Sequence, residues 1–142
     1  MKPTVYLAGG INGLSDEEAK GWRNAAAREL VSLYDILDPM VRDYRGVEAQ
    51  NVEEIVTGDL LDISISDIVL VRAERPSWGT AMELVYAKEM GKYVIAFGAG
   101  ERPSPWLVFH ADHVAETLEA GVAQAIRVHA QLLAGHAIAQ SS

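Results

Sequence analysis

Two carboxylates and a phenol stand where this sequence could do covalent chemistry. Glu83 follows the loop Arg75-Pro76-Ser77-Trp78-Gly79, directly after the apolar run DIVLVR at 67–72. Asp59 lies on the helical stretch that precedes that run, and Tyr6 stands near the end of the first apolar segment, TVYLAG at 4–9. One carboxylate able to attack an electrophilic carbon, a second acid to assist the departing group, and a tyrosine make a set suited to carboxylate nucleophilic catalysis with a supporting acid. Each residue also has an ordinary reading. An acid in the first turn of a helix is favoured by the helix dipole. Asp59 and Asp62, three apart, share a neighbouring face, as exposed helix acids do. A strand tyrosine is often core.

These residues can meet only if the elements carrying them converge. DIVLVR and YVIAF (93–97) are short, Ile- and Val-rich runs with no polar alternation, the pattern of strands buried on both faces of a parallel sheet. Between them, Thr80 to Met90 reads as a helix with Met82, Tyr86 and Met90 as its apolar set, stopped by Gly91. At the start of the chain, TVYLAG runs into Gly9-Gly10 and Asn12-Gly13, a strand-to-helix turn where the backbone comes close to something. Ser15 with Glu18 is a capping box, and Ala19, Trp22, Ala26 and Leu30 form the helix's apolar stripe. YDILDP (34–39) is the second strand, and the polar loop 40–50 follows it. Asn51 with Glu54 reads as a cap, for a helix with Val52, Ile55, Val56, Leu60 and Ile63 on its buried side. Further on come a turn-rich loop at 98–105, a short helix at 105–112, an edge strand at 113–117 and a helix at 119–133. That last helix carries Val122, Ala125, Ile126, His129 and Leu133 on one face, where His129 reads as a packing residue. Strands alternating with helices predict a doubly wound, flavodoxin-like (Rossmann-like) α/β fold with five parallel strands in the order 2-1-3-4-5. In such a sheet the carboxyl ends of strands one, two and three open on one crevice.

Whole-chain properties narrow the class. The 142 residues suffice for a single domain spanning 1–142, with a loose tail expected after about residue 135. With 20 acids against 12 bases and a net charge of −8, the surface is unsuited to duplex nucleic acid. Having no cysteine, the chain can form no disulfide, thiolate nucleophile or Cys-ligated zinc. The four histidines show no metal-binding spacing. Neither a signal-peptide pattern nor an apolar run of membrane-spanning length stands out, so a soluble, cytoplasmic protein is expected.

Several stretches together resemble the nucleoside 2-deoxyribosyltransferase family, which includes 2′-deoxynucleoside 5′-monophosphate N-hydrolases and CMP hydrolases. They are VYLAGGI, DPMVRDYRG, GDLLDISISDIVLV, GTAMELVYAKEMGKYVIAF and SPWLVFHADHV, in that order. The resemblance implies Glu83 as the nucleophile that forms a glycosyl-enzyme ester, Asp59 as the acid that protonates or holds the departing base, and Tyr6 as the residue orienting Glu83. It implies substrate contacts from Gly9, Gly10, Ile11, Arg45, Gly79 and Met82. Ser77 stands where nucleoside-specific transferases carry Asp and monophosphate hydrolases a phosphate-contacting Ser. Ser104 matches a second such Ser, which reaches a neighbouring subunit's site. His113 stands near the place of an Asn that the transferases send into a neighbouring site, and Asn12 replaces an Arg of the human-type hydrolases. No metal or redox cofactor is implied. The implied partners are a small nucleoside or nucleotide substrate and further copies of the chain, as a homodimer or dimer of dimers. A nucleotide-binding or sensing domain without turnover is the competing class. A dinucleotide-binding oxidoreductase would need a G-x-G-x-x-G fingerprint that the chain lacks.

Overall fold

The computed structural model describes residues 2–141, with side chains described through residue 135. In chain order the elements are β1 (Thr4–Ala8), α1 (Asp16–Leu30), β2 (Asp35–Leu37), α2 (Val52–Ile65), β3 (Ile68–Arg72), α3 (Trp78–Glu89), β4 (Tyr93–Phe97), α4 (Pro105–His110), β5 (His113–Ala115) and α5 (Leu118–Ser141). Two single 3₁₀ turns, Pro39–Val41 and Glu48–Gln50, break up the loop after β2. The five strands form one sheet in the order β2-β1-β3-β4-β5, and every neighbouring pair is parallel. This is the flavodoxin-like arrangement expected from the alternation of runs. Among the described residues no helix is long and apolar enough to cross a membrane.

Strand residues alternate strictly between the two sides of the sheet. Val5, Leu7, Ile68, Leu70, Ile95 and Phe97 face α1 and α5, where they pack with Trp22, Ala26, Leu30, Tyr34, Val122 and Ala125. Tyr6, Ala8, Val69, Val71, Val94 and Ala96 face α2, α3 and α4, against Ile63, Leu84, Ala87 and Leu107. The α1 stripe is buried as its spacing requires, and the Ser15–Glu18 capping box is formed in both directions. Gly9 has a packing reason: a Cβ there would stand 2.9 Å from the Trp22 ring and 3.3 Å from the Arg72 Cβ. Gly91 ends α3 at φ 74°, the left-handed value that favours glycine.

Other expectations needed correction. Val52 and Val56 are more than half exposed, whereas Ile63 and Asp62 are buried. The reason is that only the C-terminal half of α2 lies over the sheet. Its N-terminal half stands over an open cleft, into which Ile55 and Asp59 point. Asn51 does not cap α2; its amide donates to the Val47 carbonyl at 2.8 Å. On α3, Met82, Tyr86 and Met90 are exposed, and the buried stripe is Thr80, Leu84 and Ala87. On α5, Ile126 and Leu133 are exposed and Val128 is buried. The helix reaches Ser141, past the 119–133 expected, and the side chains of the expected loose tail lie outside the described residues. His129 packs edge-on to Tyr34, its Nε2 2.9 Å from the Leu33 carbonyl oxygen.

Candidate active site

Glu83 owes its position to the start of α3. The Ser77 hydroxyl accepts from the Thr80 amide at 3.2 Å, so the helix begins at Trp78 and Glu83 falls in its second turn, not in the first as the loop composition suggested. That removes the helix-dipole explanation for an acid here, because the effect fades beyond the first turn. Glu83 also lies three residues after buried Thr80 and four before buried Ala87, so it shares the face that α3 turns toward the sheet. Below it, Tyr6 is 1% exposed, and its hydroxyl donates to Glu83 Oε2 at 2.5 Å. A β1 side chain at the carboxyl end of the sheet thus meets an α3 side chain across 77 residues of sequence.

Asp59 reaches the same cleft from α2. Arg42, just after the first 3₁₀ turn, spans both acids of that helix with a single nitrogen: its Nη2 donates to Asp59 Oδ1 at 3.3 Å and to Asp62 Oδ2 at 2.7 Å. The cleft has a volume of about 410 Å³, within the range of small-ligand sites. Tyr6, Asp59 and Glu83 line it together, with Gly9, Gly10 and Ile11 of the β1–α1 turn, Arg45 of the loop, and Ser77 and Gly79 at the start of α3.

Burial dominates the electrostatics. It drives the Glu83 carboxyl from its ordinary 4.5 up to about 7, the Asp59 charge pushing the same way and the Tyr6 hydrogen bond opposing both. Burial, then the neighbouring Glu83 charge, pushes Tyr6 well above the usual phenol range, so it stays protonated and donates. Asp59 is likewise raised by burial, with the hydrogen bond and charge of Arg42 pulling it back. A carboxylate titrating near neutrality, little hydrated and aimed by one donor, is equipped to act as a nucleophile.

Not every residue of the expected site lies here. Met82, one position before Glu83, is turned about 100° around the helix and faces the far side of α3. With Ser104 it lines an apolar groove between α3 and α4. The Ser104 hydroxyl caps α4, accepting from the Trp106 amide at 3.2 Å. His113 opens the edge strand β5, paired with Ile95, and is not part of the cleft lining. Arg45 is on the wall, but its guanidinium is already engaged by Asp43, by Asp16 at 2.5 Å and by the Leu14 carbonyl at 3.0 Å, so it clamps the turn after β1. Three arginines were overlooked. Arg42 and Arg75 line the cleft, and polar loops offered no signal to separate them from solvated residues. Arg23, fully buried under the turn, donates to the carbonyls of Leu7, Ala19 and Gly9 at 3.3, 2.6 and 2.9 Å. Its place within the α1 stripe, next to Trp22, was the only sequence hint.

Known proteins agree with this architecture. The profile of the family described as nucleoside 2-deoxyribosyltransferase matches residues 5–134, nearly the whole chain. The chain belongs to this family. Cleavage of an N-glycosidic bond is the general chemistry that nucleoside 2-deoxyribosyltransferases bring. No curated protein matches the sequence. Among solved structures, the 2-deoxyribosyltransferase of Bacillus psychrosaccharolyticus superposes with a TM-score of 0.65 at 22% identity, over 82% of this chain and 88% of that one. A conserved protein from Enterococcus faecalis V583 gives 0.69 at 15% identity, over 86% and 96%. The CMP N-glycosidase of Clostridium botulinum gives 0.56 at 15% identity, over 85% and 96%. At these identities the likeness speaks for the fold.

Proposed function

We propose that this nucleoside 2-deoxyribosyltransferase family member cleaves the N-glycosidic bond of a (deoxy)nucleoside or, in the favoured reading, of its 5′-monophosphate. In this mechanism ionised Glu83 attacks the anomeric carbon. The bond from that carbon to the base nitrogen breaks, and a bond to a Glu83 oxygen forms. The base leaves with the electron pair and takes up a proton, which Asp59 delivers or directs. Tyr6 holds the attacking carboxylate in one orientation. Water or an acceptor base then attacks the same carbon, gives up its proton and releases Glu83. Two inversions yield net retention. The observation carrying this reading is the Tyr6–Glu83 hydrogen bond in a cleft shared with Asp59. The test is a panel of deoxynucleosides, ribonucleosides and their 5′-monophosphates, each with and without an acceptor base, assayed for free base and exchanged nucleoside. Release of base from none of them, with binding retained, would leave a nucleotide-binding domain without turnover.

Support for the monophosphate comes from the start of α3. Backbone amides at a helix N-terminus suit a phosphate, and Ser77, Gly79 and Arg75 line the cleft there. One observation favours the free nucleoside instead: the Ser77 hydroxyl is already committed, accepting from the Thr80 amide and donating to Thr80 Oγ1 at 2.8 Å. Comparing kcat/KM for one deoxynucleoside and its 5′-monophosphate in wild type and Ser77→Asp separates the two. A shift toward the nucleoside in the mutant supports the phosphate reading. An unchanged ratio reduces Ser77 to a cap, since Asp caps equally well.

We also propose that the enzyme works as a homodimer or dimer of dimers. Trp78, Trp106 and Phe109 are 84%, 78% and 68% exposed on α3 and α4, a large apolar area for a lone chain to leave in water. An active strict monomer at assay concentration would remove Ser104 and His113 from any site.

A further inference from the structure

Gly58 is an oddity of α2. It sits mid-helix, where glycine is about 1 kcal/mol worse than alanine, and its φ is not in the left-handed region. Space explains it. A Cβ at Gly58 would stand 3.2 Å from Arg42 Nε and 3.5 Å from both Cζ and Nη2. The missing side chain leaves a notch in which the Arg42 guanidinium lies against α2, with Asp59 and Asp62 one and four residues further on. Arg42 belongs to the loop after β2, which walls the cleft through Arg42, Tyr44 and Arg45. One ion-paired side chain, seated in one notch, therefore joins the wall of the cleft to the acid inside it.

We propose that Arg42 is a positioning residue for Asp59, seated in a notch that Gly58 cuts into α2, and that it sets both the orientation and the proton state of that acid. The inference rests on the proposed role of Asp59 in helping the base to leave. Without the guanidinium, Asp59 Oδ1 loses its hydrogen-bond donor and the carboxylate is free to turn about its side-chain bonds. Its electrostatic surroundings would then be the acid Asp62 of its own helix, Glu83 of α3, the protonated Tyr6 of β1 and the deeper Arg23 of α1. Two carboxylates against one distant cation favour the protonated form, so Asp59 would hold its proton to higher pH.

Two substitutions approach this contact from opposite sides. Arg42→Gln removes the guanidinium. Gly58→Leu leaves every charge in place but fills the seat, and Gly58→Ala crowds it by a few tenths of an ångström. Carbon-13 at the aspartate carboxyls, with the Asp59 signal assigned by its loss in Asp59→Asn, reports the titration whatever the substrate. The expected result is an Asp59 titration displaced to higher pH in Arg42→Gln and Gly58→Leu, and less so in Gly58→Ala. With the substrate found by the panel, kcat should fall roughly tenfold or more in the first two, within the usual reach of acid–base assistance, and KM should change less. Gly58→Ala should also melt no lower than wild type, because alanine favours the helix; a purely structural contact would lose stability instead. Arg42→Lys should return the titration toward wild type but recover kcat incompletely, since an ammonium is a point charge without the planar fork. Failure of the whole panel in wild type would sink the proposed function and leave the titration as an independent test. An Asp59 titration unmoved in both Arg42→Gln and Gly58→Leu, or an unchanged kcat in a wild-type-active enzyme, overturns the proposal.

Discussion

The two sides of the sheet are built from the same strands but solve different problems. Beneath α1 and α5, every inward side chain from Val5 to Val128 is covered, and even the charged Arg23 has its donors met by carbonyls. Beneath α2, α3 and α4, the cover is incomplete. The first half of α2 is lifted off, Tyr6 and Glu83 face an opening, and Asp62 takes a buried place on the helix. The closed side supplies stability and the open side holds groups at unfavourable protonation states, which only a scaffold stabilised elsewhere can tolerate. Substitutions on the two sides should therefore separate activity from stability.

The largest separation is expected at Glu83. Glu83→Ala should abolish base release with the fold intact, because among the described residues no other carboxylate is hydrogen-bonded to the Tyr6 hydroxyl. Near-normal turnover at an unchanged melting temperature would refute the nucleophile assignment. Asp59→Asn should lower kcat by about 10²–10⁴-fold, the usual worth of general acid–base help; a full rate would make this acid a mere partner of Arg42. On the closed side the pattern should invert. Leu30→Ala, at a position fully buried in the α1 stripe, should destabilise the protein by about 2–5 kcal/mol and leave the kcat of folded enzyme unchanged. Chemical denaturation paired with single-substrate kinetics would show whether the two sides are as separable as claimed.

A smaller effect is expected from Tyr6→Phe. The Tyr6 hydrogen bond lowers the Glu83 carboxyl against the pull of burial. Its loss should move the acid limb of kcat/KM from about 7 to higher pH and slow the reaction roughly ten- to hundredfold, the scale of one hydrogen bond to a charged group. An acid limb that stays in place would mean that Glu83 is not the group titrating. The smallest effect is one of stability. Glu83 is raised above its ordinary value, so the stability it contributes is present at pH 4 and is lost as pH rises through about 7. Glu83→Gln carries no such charge. It should therefore stabilise the protein at pH 8 relative to wild type, by on the order of 1–2 kcal/mol once the remaining partial exposure of the residue is discounted. At pH 4 the difference should vanish. Equal melting temperatures at pH 8 would argue that the ionised carboxylate costs the fold nothing.

Some of this was decided by the sequence alone. Short Ile- and Val-rich runs alternating with helix-forming segments pointed to buried parallel strands, so the α/β class was legible from local composition, and the order 2-1-3-4-5 was the flavodoxin-like expectation for five such strands. The α1 stripe and its capping box were equally legible, because both are periodic or local. Tyr6 and Glu83 could be singled out by residue type and by their nearness to strand ends, Asp59 by its place on the helix before strand three, and their separate roles only by the family resemblance. Tertiary structure decided what those residues touch. Tyr6 meets Glu83 across 77 positions, and Arg42 meets Asp62 across 20, distances over which sequence spacing carries no geometric information. Which face of α2 and α3 is buried was also invisible in the sequence. Apolar residues are spread around both helices, so spacing pointed partly to the wrong faces, and the lift of α2 off the sheet is a property of packing. The same holds for Gly58: in the sequence it is a flaw in a helix, and only the Arg42 guanidinium lying across it shows why the side chain is missing.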